Sequence, residues 1–362
     1  MTRPGTGAAP APVIELGAYT LAAADRERAL TPRLVELTEH HRARCAPYAR
    51  LLEALGHRPD SPVREPADLP WLPAPLFKEH TLRSVPASAV FRVLASSGTT
   101  GATSRVHLDR DAAAAQQRSL TRSLAAVLGP DRLPMLVVDQ RSAVLGPPPL
   151  PARGAAALGV MTYGRGHTFL LGPDGRPDLP ALRRFLAAHG DRPFLVFGMT
   201  FLVWSVLREL ADVPGLDLGN GVLLHTGGWK RLADQAVDGR AFRRELARVG
   251  LRRSHDFYGM VEQVGTVFLE GERTRQLYCP DHAQVIVREP GSWAVAPVGT
   301  PGVIEVLSTL PRSYPGHALL TGDLGVIHGV DDGDWPGPRF SVLGRVPRTE
   351  LRGCGDVTGR AG

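Results

Sequence analysis

The chain has 362 residues, of which 43% are hydrophobic and 22% are charged, the composition of a globular protein with a sizeable core. Its net charge of +6 is small for this length, and no basic run alternates with aromatic residues, so the sequence argues against a nucleic-acid-binding protein. It has no stretch of 18 apolar residues and no apolar leader at its start, so we expect a cytoplasmic protein without a membrane span.

The beginning of the chain predicts helices that lead into a linker. Between residues 20 and 56, apolar side chains recur every three or four positions, which is the period of an amphipathic helix. Residues 59–75 are rich in proline, and we expect them to cross the surface toward Phe77 and Lys78.

A loop rich in serine, threonine and glycine follows the apolar run Val90–Leu94, which predicts a buried strand. The loop consists of Ser96, Ser97, Gly98, Thr99, Thr100 and Gly101. Inward backbone N–H groups and hydroxyls in such a loop bind polyphosphates. Because residues 106–108 alternate as a strand does, the loop joins two strands and is not a P-loop opening a helix. The alternative is an ordinary turn in a surface hairpin.

From Asp109 to residue 249, strands and helices alternate. Asp109 is expected to cap a helix over residues 112–128. Apolar runs predict strands at 135–138, 160–163, 194–197 and 222–224, and helices at 182–188, 201–210 and 232–249. This alternation predicts an α/β fold with a mostly parallel sheet covered on both faces. Ligands bind at the carboxyl ends of such strands.

Two groups of residues follow predicted strand ends. The first consists of Gly227, Gly228, Trp229 and Lys230, where glycines let the backbone approach a flat ring; the alternative is an ordinary turn before a helix. The second includes Phe201 and Trp204, which could line a pocket for an aryl or alkyl carboxylic acid or belong to a core helix.

From Gln284 the sequence predicts short strands separated by proline and glycine turns, and hence a small antiparallel barrel or sheet. Asp323 is expected in a turn between two of these strands, where its carboxylate could accept two ribose hydroxyls. Arg345 would face ribose or phosphate. The alternatives are a turn aspartate and a surface arginine.

Several motifs occur in the order found in adenylate-forming enzymes and resemble theirs. They are the loop Ser96–Gly101, the segment Tyr258-Gly259-Met260-Val261-Glu262, the segment Thr321-Gly322-Asp323 and the pair Gly344-Arg345. Three others resemble the acyl-protein synthetase (LuxE-like) branch: Pro75–Glu79, Gly227–Lys230 and Arg352–Asp356. The resemblance spans roughly residues 70–356.

The resemblance implies a large adenylate-forming-type domain over residues 1–343, with a helical part at 1–70 and a small β subdomain at 280–343. Only 17 residues follow Arg345, so we expect a short tail at 344–362 in place of the full mobile C-terminal domain.

The resemblance also implies ATP-dependent activation of a carboxylic acid as an acyl-adenylate, followed by acyl transfer to a thiol. In that reading the serine- and threonine-rich loop holds phosphates, and Gly227, Gly228, Trp229, Tyr258 and Gly259 bind adenine. Asp323 and Arg345 bind ribose or phosphate, and Glu262 holds Mg²⁺. The alternatives are a coenzyme A ligase and a nucleotide-binding subunit of a reductase complex that adenylates nothing alone.

Lysine is almost absent from the chain, because 40 of its 42 basic residues are arginines. Lysine differs from arginine as a compact point charge on a flexible stem. We therefore interpret Lys78 or Lys230, with Lys230 favoured, as a contact to ATP or the reacting carboxylate. The alternative is that both lysines remain in the sequence by chance.

Cys354, flanked by two glycines near the end of the chain, is the candidate acyl carrier. The three cysteines show no CxxC spacing, which argues against a disulfide framework or a zinc site. By resemblance, acyl-protein synthetases carry their acyl thioester on such a cysteine, and Arg352 could favour its thiolate. The alternatives are a cysteine without a role and an external thiol acceptor, coenzyme A or an acyl carrier protein.

Overall fold

The computed structural model of the chain describes residues 17–96, 103–146, 152–228 and 237–346. Its helices are α1 (Ala23–Arg44), α2 (Ala46–Ala54), α3 (Leu76–Glu79), α4 (Arg110–Leu128), α5 (Arg141–Leu145), α6 (Ala152–Met161), α7 (Leu179–His189), α8 (Thr200–Leu210) and α9 (Gly239–Arg248). Its strands are β1 (Leu72–Pro73), β2 (Arg92–Ala95), β3 (Arg105–Leu108), β4 (Leu133–Gln140), β5 (Gly164–Leu171), β6 (Phe194–Met199), β7 (Gly221–Thr226), β8 (Arg253–Tyr258), β9 (Phe268–Glu270), β10 (Leu277–Tyr278), β11 (Ala283–Arg288), β12 (Gly302–Ser308), β13 (Ala318–Val330) and β14 (Pro338–Arg345).

Five parallel strands, in the order β5-β4-β6-β7-β8, form the α/β half of the sheet. Side chains of alternate residues point to opposite faces of a strand. On one face, Leu136 and Leu223 pack in a cluster that includes residues of α7, α8 and α9. On the other face, Val137 and Leu224 pack in a cluster with residues of α4 and α6. The predicted parallel sheet with both faces covered is therefore confirmed.

The antiparallel strands β11-β12-β13-β14 continue the same hydrogen-bonded path through β10 and β9 to β8. The predicted antiparallel part is thus present, and its strands are joined to the parallel strands. β1 pairs in parallel with β13, with Leu72 opposite Leu319. β2 and β3 form a separate two-stranded antiparallel ribbon. The predicted domain boundary at residue 343 stays a prediction.

Helices α1 and α2 confirm the helical reading of residues 20–56. The apolar stripe of α1 is buried at Leu30 and Leu34, which pack against Ile286 and Leu307 of the antiparallel strands. The Asp109 cap is also confirmed, because its Oδ1 accepts a hydrogen bond from the N–H of Ala112 at 2.8 Å.

Two predicted strands differ from the observed ones. Residues 160–163, predicted as a strand, contain the end of α6, and β5 begins only at Gly164. A short apolar run cannot separate a buried helix from a strand, which explains the error. The run Val90–Leu94 was predicted as a buried strand, but β2 begins only at Arg92. Phe91 and Val93 are 45% and 50% exposed because the ribbon is separate from the large sheet.

The position of Asp323 differs from the sequence prediction, and the helix predicted from residue 232 is described only in part. Asp323 lies within β13, not in a turn, because this strand bends through register shifts beside Leu324 and still pairs with β14. The helix predicted from residue 232 is described only from Gly239, where Asp238 caps α9 by accepting from the N–H of Ala241 at 2.7 Å. Within the described residues, no helix is long and apolar enough to cross a membrane.

Two stacked histidines are buried between α1 and the antiparallel strands. The rings of His41 and His317 lie 5.0 Å apart, and His317 Nε2 lies 2.9 Å from Thr38 Oγ1. Burial lowers the pKa of His317 to about 3 and also lowers the pKa of His41 well below its usual value. Both histidines are therefore neutral in the folded chain at neutral pH.

Acidification should weaken the fold through His317. Its pKa in the unfolded chain is about 6.5, so between pH 6.5 and 3 the unfolded state binds a proton that the folded state does not. The contribution of neutral His317 to the free energy of unfolding is complete above pH 6.5. Below that pH it falls by up to about 1.4 kcal/mol per pH unit. Urea unfolding of wild type and His317→Gln between pH 8 and 5 measures this loss. Parallel pH profiles of the two proteins would contradict the assignment.

Candidate active site

The carboxyl ends of β6, β7 and β8 meet at one edge of the sheet, as the sequence predicted. Gly227, directly after β7, has a φ of +81°, and a Cβ there would lie 2.6 Å from Met199 Cε. A side chain at this position would be strained and obstructed. Among the described residues, nothing lies within 4 Å of a Cβ built on Gly228. Trp229 and Lys230 fall outside the described residues.

Three predicted residues, at the end of β8, in β13 and in β14, meet through their side chains. The Tyr258 hydroxyl donates to Asp323 Oδ2 at 2.8 Å, and Arg345 Nε lies 3.5 Å from Asp323 Oδ1. Asp323 and Arg345 are register partners, which holds their backbones side by side. Burial, followed by the Asp323 charge, raises the pKa of Tyr258 well above its usual value, so the hydroxyl keeps its proton and donates. Gly259, also predicted here, is exposed immediately after Tyr258.

Glu262 lies in a short 3-10 turn, Val261–Gln263, just after β8 and is only 7% exposed. Burial raises the pKa of its carboxyl group, whereas the Ser104 hydroxyl and the positive charges of Lys78 and Arg345 lower it. These influences come from three separate parts of the chain: the residue just before β3, α3 and β14. Glu262 is therefore a buried carboxylate whose ionised form is favoured by two cations.

Lys78 is the only lysine in the described part of the chain. It is exposed on α3, whose position is fixed by the buried ring of Phe77, 5.9 Å from the ring of Tyr314 in an edge-on contact. Just before α3, the N–H of Ala74 donates to Leu320 O of β13 at 2.9 Å. The structure thus brings Lys78 toward the strand that carries Asp323.

The predicted phosphate loop connects β2 and β3, the two strands of the ribbon. At its base, Ser96 N–H donates to Ser104 O at 3.0 Å, and Ser104 N–H donates to Ser96 Oγ at 3.0 Å. The prediction that the loop joins two strands is confirmed by the pairing of β2 with β3. The remaining predicted loop residues, Ser97, Gly98, Thr99, Thr100 and Gly101, lie outside the described residues, as does Cys354.

The proposed substrate residues occupy different surroundings. Trp204 is 9% exposed and packs in the hydrophobic cluster between α8 and α9, with its ring 6.0 Å from Phe242. Phe201, at the start of α8, is half-buried. The core-helix interpretation therefore accounts for the packing of Trp204, and a contact of either residue with substrate stays a prediction.

Sequence reasoning missed a polar group at the same sheet edge. Thr200 Oγ1 lies 2.9 Å from His225 Nδ1, which lies 3.6 Å from Asp256 Oδ1. Burial lowers the pKa of His225 to about 3, so its ring is neutral. Alignment of the parallel strands β7 and β8 would have identified this group, because His225 and Asp256 are opposite each other on these neighbouring strands.

The described residues contain no group of three or more histidine, cysteine, aspartate or glutamate side chains suited to a metal ion. Mg²⁺ bound to a nucleotide does not need such a group, because it takes one or two carboxylates together with phosphate oxygens and water. Glu262, with its buried carboxylate, fits that requirement.

Comparison with known proteins gives consistent matches over most of the chain. A family model described as acyl-protein synthetase, LuxE, matches residues 13–361. The long-chain-fatty-acid–luciferin-component ligase of Vibrio harveyi is 25% identical over 346 residues, covering 91% of this chain and 87% of that protein.

Solved structures of 2-hydroxyisobutyryl-CoA ligase show the same fold. In the postadenylation state with 2-HIB-AMP, that enzyme superposes with a TM-score of 0.67 at 19% identity, over 91% of this chain and 69% of its own. Its open conformation with 2-HIB-AMP and CoA gives a TM-score of 0.66 at 18% identity, over 91% of this chain and 77% of its own. The predicted adenylate-forming fold is therefore confirmed.

Proposed function

Because this chain belongs to the LuxE family of acyl-protein synthetases, we propose that it uses ATP to activate a carboxylic acid as an acyl-adenylate and then transfers the acyl group to a thiol. It is a carboxylate-adenylating ligase, as the sequence predicted. The long-chain-fatty-acid ligase that it resembles is a relative of the same kind.

The contacts that join Tyr258, Asp323 and Arg345 carry this proposal, and the charges of Arg345 and Lys78 both act on Glu262. Asp323 offers carboxylate oxygens to ribose hydroxyls, and the Tyr258 ring offers a face to adenine. Arg345 and Lys78 supply positive charge for phosphates. This set suits a nucleotide whose phosphates extend from β13 toward the ribbon.

The first step is an in-line displacement at the α-phosphorus of ATP. An oxygen of the substrate carboxylate forms a bond to that phosphorus, and the bond to the bridging oxygen breaks, so pyrophosphate leaves. Lys78 or Lys230 neutralises the charge on the α-phosphate oxygens, since positioning and charge neutralisation carry such reactions. Glu262 would hold Mg²⁺, which would supply positive charge to the departing pyrophosphate when bound.

The second step forms a thioester. A thiolate attacks the acyl carbonyl, the bond to the adenylate oxygen breaks, and AMP leaves. Cys354 is the acceptor that we propose, with a reductase subunit, an acyl carrier protein or coenzyme A as the onward partner. The identity of the acid, aryl or alkyl, is open to direct screening.

ATP–pyrophosphate exchange over a panel of aryl and alkyl carboxylic acids should reveal the substrate. Intact-protein mass spectrometry with that acid, ATP and Mg²⁺ should then show a hydroxylamine-labile acyl adduct on Cys354. The Cys354→Ser variant should keep the exchange activity and lose the adduct, because only the second step needs the thiol. Cys45, which is buried, gives a matched Cys→Ser control that should keep the adduct.

Each alternative has its own outcome in this experiment. A lack of pyrophosphate exchange with every acid would favour the nucleotide-binding subunit. Transfer to coenzyme A by the Cys354→Ser variant at the wild-type rate would favour the coenzyme A ligase and rule out Cys354 as carrier.

A further inference from the structure

The loop between β11 and β12 exposes apolar side chains to solvent. Trp293, Val295 and Val298 are 40%, 51% and 57% exposed, although proteins usually bury side chains of these types. Residues 290–301, which we call the apolar loop, contain no charged side chain. Apolar side chains gathered in this way on one surface mark an interaction site.

The backbone of the apolar loop is held in an unfavourable conformation. Trp293 has a φ of +58°, a region that bulky residues rarely adopt and that costs free energy. The guanidinium group of Arg288 fixes this turn, because Nη1 donates to Trp293 O at 2.9 Å and Nη2 donates to Ala67 O at 2.8 Å. Arg288 is only 6% exposed, and its Nε donates to the buried carboxylate of Glu305. A buried ion pair therefore fixes a loop whose side chains remain exposed.

The ring of Trp293 also has a defined place. Its centroid lies 5.5 Å from that of Trp71, the residue before β1, a separation at which aromatic rings attract each other. Tryptophan is among the residues that contribute most to binding at protein interfaces, and a ring held in advance loses less entropy on binding. The apolar loop is therefore preorganised for a partner.

The apolar loop carries an unpaired backbone edge as well. Ala296 N–H donates to Val287 O at 2.8 Å, and Val295 forms an antiparallel bridge with Arg288, so residues 294–296 extend the sheet beyond its edge strand β11. Successive residues of a strand direct their N–H and C=O groups to alternate sides, so those of Val295 point away from β11. Within the described residues, these two groups form no hydrogen bond. Such an exposed edge can pair with a strand of another chain.

We propose that the apolar loop is the contact between two copies of this chain, related by a two-fold axis at Val295. Two identical strands that pair antiparallel are related by such an axis, and each Val295 then donates one hydrogen bond and accepts one. The same register places Trp293 of one copy opposite Pro297 of the other. Because no residue within four positions of Val295 is charged, no charge is brought against its own copy. This inference does not depend on the proposed function.

The charges next to the apolar loop favour a second copy over a membrane surface. Glu289 directly precedes the loop, and Glu65 and Asp68 are exposed in the segment that Arg288 binds at Ala67. Anionic lipid surfaces attract clusters of lysine and arginine, and three neighbouring carboxylates would weaken such binding. A second copy offers the same uncharged stretch and needs no such attraction.

Light scattering of the full chain tests the proposal. A contact of this size supports a Kd on the order of 10 µM, so the molar mass should rise from 38.9 kDa toward twice that value between about 1 and 100 µM. Val295→Lys brings two like charges together at the axis and should keep the mass of one copy throughout. Leu55→Lys, at a residue that is 55% exposed at the end of α2, is the control and should dimerise like wild type.

A cysteine at the axis tests the register. Hydrogen-bonded antiparallel pairs have Cα atoms about 5.5 Å apart, which is within the range of a disulfide. Val295→Cys in a Cys354→Ser background should therefore form a disulfide-linked dimer on oxidation with diamide, whereas Leu55→Cys in the same background should remain largely one copy. Cys45 and Cys279 are buried and should not react.

A molar mass of one copy at every concentration would overturn the inference. Dimerisation that Val295→Lys leaves intact, or equal cross-linking of Val295→Cys and Leu55→Cys, would overturn it as well. Sedimentation of wild type, but not of Val295→Lys, with phosphatidylcholine vesicles would assign the loop to a membrane instead. Because Val295 is exposed, Val295→Lys and wild type should unfold at the same temperature at about 1 µM, where both are single copies.

Discussion

Lys78→Ala should reduce pyrophosphate exchange by about a hundredfold or more, with little change in the unfolding temperature. Lys78 is exposed, so its removal leaves no cavity, whereas the loss of a preorganised charge at the reacting phosphate costs about 10² to 10³ in kcat. The affinity for ATP without acid should fall far less, because Tyr258 and Asp323 still hold the nucleoside in the proposed arrangement. Steady-state pyrophosphate exchange measures the loss in rate, and equilibrium ATP binding without acid measures the loss in affinity.

Lys78→Arg keeps the charge and tests its geometry, since a guanidinium is broader and planar. We expect it to recover only part of the lost rate. Arg122→Ala removes an exposed cation of α4 that belongs to none of the proposed motifs, and this variant should exchange at the wild-type rate. If Lys78→Ala is fully active while Lys230→Ala is inactive, the cation at the α-phosphate is Lys230.

Glu262→Gln should abolish most Mg²⁺-dependent exchange and leave the fold at least as stable at neutral pH. The carboxamide keeps the shape of the side chain but loses the charge that would hold the metal ion, so a loss of about a hundredfold or more in kcat is expected. Burial raises the pKa of Glu262, so the folded state disfavours its ionised form, and stability falls as the pH rises above the unfolded pKa of about 4.3.

Two measurements test this prediction. One is the exchange rate as a function of Mg²⁺ concentration, and the other is the free energy of unfolding by urea at pH 5 and pH 8. The glutamine variant should lose the decline in stability that Glu262 causes between these pH values. Glu209→Gln, an exposed carboxylate on α8, serves as the control for both. Near-complete exchange by a folded Glu262→Gln protein would exclude the metal role, whatever the stability data show.

Much of this arrangement could be predicted from the sequence because its parts are local. Tyr258 and Gly259 end one strand, and Asp323 sits in a short motif, so resemblance could assign each a role without knowledge of the fold. Alternating apolar runs likewise predicted the parallel strands, since strands buried on both faces read as continuous apolar segments.

What the sequence could not predict depends on contacts between distant segments. Nothing in the residues around Ser313 indicates that its hydroxyl donates to His107 O of β3, because the two residues are distant in the sequence. Asp323 was expected in a turn between two short strands, yet pairing with β14 makes both strands one, β13. Phe91 is exposed because the ribbon is separate from the large sheet. This separation is a feature of the tertiary structure, whereas the hydrophobicity of the run alone predicts burial.

The pairing of β1 with β13 has a kinetic consequence. β13 carries Asp323, and α3 with Lys78 begins three residues after β1 ends, so the proposed ribose contact and the proposed cation are anchored to one hydrogen-bonded pair of strands. The relative placement of these two groups is then fixed when the chain folds. The entropy needed to bring a charge to the nucleotide is lost once, during folding, and not again at each catalytic cycle.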